Sequence, residues 1–229
     1  MNNSDIKRIL DFTFLKVGAT KSDLVDFCIE ANKIMPKAVC VFPENAEFVK
    51  SILDKKIILA LVSNPFPVGS NSVEDIRNNI SEALDLGAEE IDCVLEPRNE
   101  SDFPGEVELE KLTEMRNTCG EKVLKIIIEA PELDERKMRA VIRLVLLSGA
   151  DYVKSGTGHR GACTIEQAVI LAEEIYRHKV ISGEYKGIKL SGGIKTKKEL
   201  EELIGAINNI DRGILERDLL RIGSSSKFV

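Results

Sequence analysis

The sequence lacks an apolar run long enough to cross a bilayer. Its longest obvious apolar run, residues 57–62, is far shorter than the ~20 residues that a membrane-spanning helix needs. The start, Met1-Asn2-Asn3-Ser4-Asp5, is polar and has no signal-peptide pattern. We therefore expect a soluble, cytoplasmic protein with no membrane partner.

The chain is also poor in the residues that hold metals or disulfides together. It has neither a C-x-x-C pair nor a His/Cys cluster with zinc spacing, so we expect no metal and a reducing compartment. Each cysteine is expected to be a buried thiol. The five are Cys28, Cys40, Cys93, Cys119 and Cys163.

Basic residues are in deficit. The formal net charge is −6 and the isoelectric point is near 5.2, which argues against a general affinity for nucleic acid or for anionic membranes. A local basic pocket remains compatible with this charge, and such a pocket can bind a phosphate. The charge therefore limits the partners of the protein rather than its sites.

No Pro/Ser-rich linker or break in composition divides the 229 residues. Short apolar, β-branched runs alternate with longer segments of helical period. This order predicts a single α/β domain over residues 1–229, a closed (β/α)8 TIM barrel, with a doubly wound open sheet as the alternative. The predicted strands are residues 9–14, 38–42, 57–62, 91–95, 123–129, 152–154, 188–190 and 220–223.

Helix boundaries can be read between these strands. Ser72, Thr164 and Thr196 each offer a capping oxygen and are followed three residues later by an acid or an amide. Gly87 and Gly149 follow apolar helical patterns, at positions where a left-handed residue ends a helix. One further helix is predicted from about residue 20 to residue 34.

Two lysines, Lys154 and Lys189, end short apolar runs and are followed almost at once by glycine. A lysine seldom enters a core without a chemical role, although exposed strand ends are the alternative. Asp92 ends a segment whose layout matches the one that ends at Lys154. In a barrel these two would lie on strands four and six and share an interior layer, with Lys189 in a neighbouring layer.

Two buried amines that lie close together oppose each other's protonation, and burial adds to this effect. At an assumed distance of about 4 Å and an effective dielectric of about 20, the repulsion is roughly 4 kcal/mol, or about three pKa units. One lysine would then be a nucleophile that attacks a carbonyl and forms an iminium, an electron sink for carbon–carbon bond cleavage. Asp92 is placed to move protons through a water molecule.

Glycine-bearing loops follow the last three predicted strands, where many barrels bind phosphate with backbone N–H groups. Each loop alone is also explained by simple turn chemistry. Beside two lysines, the three loops together favour a phosphorylated substrate. Lys195 adds charge there, and His159 is either a phosphate contact or a solvated loop residue. The loops are Gly156-Thr157-Gly158, Ser191-Gly192-Gly193 and Gly223-Ser224-Ser225-Ser226.

Over most of its length the chain resembles the deoxyribose-phosphate aldolases. The resemblance is most specific in the two lysine loops. It also runs through Leu10-Asp11-Phe12-Thr13, Ala38-Val39-Cys40-Val41-Phe42-Pro43, Glu90-Ile91-Asp92-Cys93-Val94-Leu95, Lys125-Ile126-Ile127-Ile128-Glu129 and Arg221-Ile222-Gly223-Ser224-Ser225. It implies reversible cleavage of 2-deoxy-D-ribose 5-phosphate to D-glyceraldehyde 3-phosphate and acetaldehyde, without metal or organic cofactor.

The resemblance also implies a role for individual residues. Lys154 matches the Schiff-base lysine, Lys189 the lysine that perturbs it, and Asp92 the proton-relay aspartate. Asp11 matches a position near the substrate hydroxyls. The implied phosphate contacts are Gly158, Gly192, Gly193, Ser224 and Ser225.

The chain departs from the family pattern around both lysines. Ser155-Gly156 stands where the family usually has Thr-Ser, Leu190-Ser191 stands where it has Pro-Ala, and Phe12 replaces a frequent histidine. The tail Lys227-Phe228-Val229 lacks the tyrosine that some members use for proton exchange. Another Schiff-base aldolase for a different phosphosugar or keto donor, and a phosphosugar isomerase or binder, are the alternatives. The sequence also allows a homo-oligomer, dimeric or tetrameric.

Overall fold

The computed structural model describes residues 2–63, 65–226 and 228, without the side chain of Asn3. Met1, Asn64, Lys227 and Val229 lie outside the described residues. Parts of the polar start and of the tail noted above therefore lie outside them as well.

Within the described residues, eight parallel strands close into a barrel in chain order, and β1 pairs with β8. The predicted TIM barrel is therefore confirmed, and the open sheet is excluded. The strands are β1 Leu10–Phe14, β2 Ala38–Val41, β3 Ile58–Val62, β4 Glu90–Val94, β5 Val123–Ile127, β6 Tyr152–Lys154, β7 Gly187–Ser191 and β8 Leu220–Ser224.

Helices surround the barrel; the first precedes β1 and the others lie between successive strands. They are α1 Asn3–Ile9, α2 Lys21–Ile34, α3 Ala46–Ile52, α4 Val73–Asp85, α5 Glu106–Cys119, α6 Glu135–Leu147, α7 Ile165–Ser182, α8 Lys197–Asn208 and α9 Gly213–Glu216. Short 3-10 turns at Pro43–Asn45 and Ala130–Glu132 follow β2 and β5.

The predicted helix boundaries are confirmed. The side chains of Ser72, Thr164 and Thr196 accept hydrogen bonds from the third residue of α4, α7 and α8, respectively. Gly87 and Gly149 have φ of 88° and 87°, the left-handed conformation that glycine adopts without strain. Local sequence chemistry therefore sets where these helices begin and end.

Strand bounds differ from the prediction by one or two residues, with one change in kind. Ile9 ends helix α1 rather than opening β1. No helix was predicted there. The sequence signal for α1 is local, since Asn2 and Asp5 form a reciprocal capping box before an apolar pair, Ile6 and Ile9.

The main hydrophobic core lies between the barrel and its helices, because alternate strand residues point outward to them. The barrel interior is divided in two. On β2 and β3 it is apolar, with Cys40, Ala60 and Val62 in a small cluster that also contains Phe66. On the other six strands it also carries buried charged side chains.

Candidate active site

A cluster of charged side chains fills the barrel interior, and each member is at most 3% exposed. The members come from β1, β4, β5, β6, β7 and β8, and they alternate with residues that face the helices. Among the described residues the cluster joins four cations to three carboxylates. They are Asp11, Glu90, Asp92, Lys125, Lys154, Lys189 and Arg221.

Asp92 lies at the centre of the predicted site. Its Oδ2 accepts hydrogen bonds from Lys154 Nζ at 2.7 Å and from Lys189 Nζ at 2.8 Å. The structure therefore brings the two lysines and the aspartate into direct contact. Lys154 and Lys189 are register partners on β6 and β7, so their side chains reach one carboxylate oxygen from neighbouring strands.

The cluster includes residues that the sequence analysis did not assign to the site. Lys125 Nζ lies 3.1 Å from Asp92 Oδ1, 3.1 Å from Asp11 Oδ2 and 2.6 Å from Glu90 Oε2. Arg221 donates to Glu90 Oε1 at 2.6 Å. Strand alternation was the available signal, because an inward Asp92 implies an inward Glu90 two residues earlier.

Asp11 lies inside this network. Its oxygens contact Arg221 Nη1 at 2.5 Å, Lys189 Nζ at 2.6 Å and Lys125 Nζ at 3.1 Å. The side chain is fully buried, and it does not line the cavity described below. Its contacts are therefore with three cations of the protein, beneath the space that is open to a substrate.

The three lysines differ in how many carboxylates they touch. Lys154 contacts one, Lys189 contacts two and Lys125 contacts three. Burial disfavours the protonated, charged form of all three lysines, and nearby carboxylates stabilise that form. The pKa of Lys154 is accordingly lowered, whereas the pKa of Lys189 is raised and that of Lys125 is raised well above the ordinary lysine value.

The lowered pKa of Lys154 has a different main cause from the one proposed from sequence. Burial is the largest cause, Asp92 opposes it, and the positive charge of Lys189 adds a smaller lowering. The pKa of Asp92 is held well below the ordinary value because three lysine charges outweigh the effect of its burial. The arrangement thus makes Lys154 easier to deprotonate and keeps Asp92 ionised.

A cavity of about 250 Å³ opens above Lys154. Each predicted phosphate contact lines it, and so do His159 and Lys195. Asp92 and Lys189 lie beneath it and are not part of its wall. The predicted contacts in the wall are Gly158, Gly192, Gly193, Ser224 and Ser225.

The loops after β6 and β7 are joined just beyond the two lysines. Ser191 N–H donates to Ser155 Oγ at 2.9 Å, and Ser155 Oγ donates to the Ser191 carbonyl at 3.0 Å. Gly192 has φ of 91°, and a Cβ built there would lie 2.8 Å from the Gly161 carbonyl oxygen. Close packing of the two loops therefore requires glycine at this position.

The described residues form neither a metal centre nor a membrane span. Among the residues described, no group of three or more His, Cys, Asp or Glu side chains is arranged to hold a metal ion. In the same part of the chain, every helix is too short or too polar to span a membrane.

The chain is similar to known proteins over most of its length. Residues 9–213 match the model of the DeoC/LacD family aldolases. A deoxyribose-phosphate aldolase from Ureaplasma parvum is 30% identical over 217 residues, which cover 95% of this chain and 93% of that protein.

Solved structures show the same architecture. An aldolase called QR15 superposes with a TM-score of 0.79 at 27% identity, covering 98% of this chain and 93% of its own. The tetrameric deoxyribose phosphate aldolase from Aeropyrum pernix shares the fold with a TM-score of 0.77 at 23% identity, over 99% of this chain and 89% of its own. The protein thus belongs to the DeoC/LacD family of aldolases.

Proposed function

We propose that this aldolase reversibly cleaves 2-deoxy-D-ribose 5-phosphate to D-glyceraldehyde 3-phosphate and acetaldehyde, with Lys154 as the Schiff-base residue. The observation that carries the assignment of Lys154 is its position. It is the one lysine of the buried cluster that lines the cavity, and it is the one whose pKa is lowered. A neutral amine that faces the substrate space is what carbinolamine formation requires.

In the cleavage direction, the Lys154 nitrogen attacks the C1 aldehyde of the open-chain sugar. Loss of water from the carbinolamine gives an iminium. A proton then leaves the C3 hydroxyl, the C2–C3 bond breaks, and its electron pair moves into the iminium to give an enamine. The fragment that begins at C3 departs as the phosphorylated aldehyde. Protonation of the enamine at C2 and hydrolysis release acetaldehyde and regenerate the amine.

Asp92 serves the proton transfers in this scheme. Its Oδ2 lies 2.7 Å from the Lys154 nitrogen, within direct reach of a proton that the nitrogen gains or loses. Lys189, 2.8 Å from the same oxygen, keeps Asp92 ionised and ready to accept. The contact in the resting protein is direct, so a water molecule is needed only where a proton travels to the sugar.

The loops of the cavity wall are the proposed phosphate site. Gly192 and Gly193 have successive positive φ angles of 91° and 76°, which form a concave turn of the kind that binds anions with backbone N–H groups. Lys195 places a positive charge on the same wall. Ser224 and Ser225 add hydroxyl groups to the lining of the same cavity.

Chemical trapping tests the proposal. Sodium borohydride added with acetaldehyde should reduce the iminium and leave an ethyl group on Lys154, which peptide mass spectrometry locates. Lys154→Leu should give no adduct and no turnover while it keeps the circular dichroism spectrum of the folded protein. Lys125→Leu is an informative comparison, because this lysine is buried in the same cluster but does not line the cavity.

An adduct on another lysine, or near-normal turnover of the Lys154 variant, would contradict the assignment. Substrate choice is measured separately with a panel of phosphosugars and keto donors. Trapping together with cleavage of a different phosphosugar would leave the Schiff base in place and change only the substrate. Absence of both trapping and acetaldehyde release would favour an isomerase or a binding protein.

We also propose a single-domain, cytoplasmic homo-oligomer that needs no cofactor. Supporting a reducing compartment, all five cysteines are free and buried. Burial raises the pKa of Cys40 to about 11, and of Cys163 to about 11, so both stay as thiols at neutral pH. The relative from Aeropyrum pernix is described as a tetramer, which supports self-association.

A further inference from the structure

The loop between β6 and α7 is held at its outer rim by an ion pair that the catalytic chemistry does not use. Arg160 donates through both terminal nitrogens to Glu96, with Nη1–Oε1 of 2.7 Å and Nη2–Oε2 of 2.9 Å. The two side chains are 22% and 24% exposed, so the pair is largely shielded from water. A bidentate Arg–carboxylate contact fixes orientation as well as distance.

Glu96 ties together more than two segments. It follows β4, and its Oε2 also accepts the Gly69 N–H at 2.9 Å from the loop between β3 and α4. That loop is tightly packed, because a Cβ on Gly69 would lie 2.8 Å from the Val94 carbonyl oxygen. One carboxylate thus connects the loops after three strands of the barrel.

A second carboxylate holds the same β6–α7 loop from inside. Glu129, fully buried at the end of β5, accepts the Thr157 N–H at 2.7 Å. Thr157 and Arg160, the two anchored residues, flank Gly158 and His159, which line the cavity. The loop is therefore fixed on either side of the residues that face the proposed phosphate position.

Arg160 itself does not line the cavity, and its charge is already matched by Glu96. Burial would raise the pKa of Glu96, but hydrogen bonds from Arg160 and Gly69 lower it below the ordinary value, so the pair stays ionised at neutral pH. Arg160 is therefore placed to shape the site rather than to bind the anion directly.

We propose that Glu96 and Arg160 are positioning residues, which hold Gly158 and His159 in the conformation that binds the substrate phosphate. This inference rests on the proposed function of the cavity. It assigns to the pair an effect on binding of the phosphorylated substrate and none on the chemistry of Lys154.

Steady-state kinetics of Arg160→Met and Glu96→Gln test the inference. Each should raise KM for the phosphorylated sugar about tenfold, the change that corresponds to roughly 1.4 kcal/mol of binding, and should alter kcat less than about twofold. The dissociation constant of inorganic phosphate should rise by a similar factor in calorimetry. The double variant should be no worse than either single one, because both remove one interaction.

A matched pair on the barrel exterior provides the control. Arg77 also makes a bidentate contact, donating through Nε and Nη2 to Glu114 at 2.7 and 3.1 Å, between α4 and α5. Arg77→Met and Glu114→Gln should leave KM and phosphate binding unchanged. Acetaldehyde trapping on Lys154 in every variant shows that the protein is folded and that the Schiff-base chemistry is intact.

The outcomes separate the two proposals. If Arg160 contacts the phosphate directly, Arg160→Met raises KM whereas Glu96→Gln lowers it by releasing the guanidinium, and the positioning role is overturned. Unchanged KM in both variants also overturns it, while trapping on Lys154 preserves the proposed function. Loss of trapping in the unmodified protein would instead overturn the proposed function.

Discussion

At the scale of single residues, the proposed activity depends on which member of the buried cluster gives up its proton most readily. Three carboxylates cannot neutralise four cations, so one cation is left with the weakest electrostatic support. That cation is Lys154, which contacts a single carboxylate and sits at the cavity floor. In the proposed mechanism the cluster therefore selects the nucleophile by position, since all three lysines have the same intrinsic chemistry.

The pH dependence of Lys189→Leu checks this account. Removal of Lys189 takes away a positive charge near Lys154. It also leaves Asp92 Oδ2 with one lysine fewer as a hydrogen-bond donor. Both changes stabilise the protonated form of Lys154, so its pKa should rise. The ascending limb of kcat/KM against pH should move to higher pH, and the rate at neutral pH should fall.

Lys179→Leu is the comparison for that profile. Like Lys189, Lys179 is paired with a carboxylate, 2.8 Å from Asp211, but it is only partly buried and lies on α7 outside the barrel. Its replacement should leave the ascending limb in place. A Lys189 variant with an unshifted limb would show that Lys189 does not influence the proton on the nucleophile.

The sequence predicted part of this cluster and missed the rest for a physical reason. Lys154 and Lys189 were found because a lysine between a buried run and a glycine is unusual. Lys125 lies in the middle of β5 without a glycine near it, where an isolated charge resembles an exposed position. Arg221 precedes a glycine by two residues, as Lys154 does, but this signal was not used. Only strand alternation combined with barrel closure places them inward, and partner assignment needs distances.

At the scale of secondary-structure elements, local chemistry made the prediction reliable. Capping oxygens and left-handed glycines are encoded within four residues, so helix ends could be read directly. Contacts between loops are not encoded in this way. The Arg160–Glu96 pair joins residues 64 positions apart, and its partners are fixed only once β4 and β6 lie in one barrel.

The approach of the β6 and β7 loops gives a prediction at this scale. Gly192→Ala should destabilise the protein by about 1–3 kcal/mol, because alanine must adopt a φ near 91° and its Cβ would lie 2.8 Å from the Gly161 carbonyl oxygen. Urea unfolding measures the change. KM for the phosphorylated substrate should also rise, since Gly192 lines the cavity.

Gly205→Ala is the control for that substitution. Gly205 lies within α8, and a Cβ there meets no heavy atom within 4 Å. Alanine should stabilise this helix by up to about 1 kcal/mol. A Gly192→Ala variant as stable as the unmodified protein would contradict the close approach of the loops after β6 and β7.

At the scale of the whole molecule, the charged interior couples folding to acidity. Burial raises the pKa values of Asp11 and Asp92, but nearby lysine charges, with Arg221 beside Asp11, hold both below the ordinary aspartate value of 3.8. An aspartate of this kind contributes stability that is fully present above pH 3.8 and is lost as pH falls toward its folded-state pKa. The charged interior therefore also makes the barrel sensitive to acid.

Urea unfolding between pH 7 and pH 2 should show a plateau above about pH 5 and a steep fall below about pH 4. Asp92→Asn should be less stable than the unmodified protein at pH 7 and should fall less steeply in acid, because one linked carboxylate is gone. Asp23→Asn removes an exposed carboxylate whose pKa is lowered to about 2 by Lys16 and Thr20, and it should change the curve less. If the free energy of unfolding fell equally steeply with falling pH in both variants, surface charges rather than the buried cluster would govern acid unfolding.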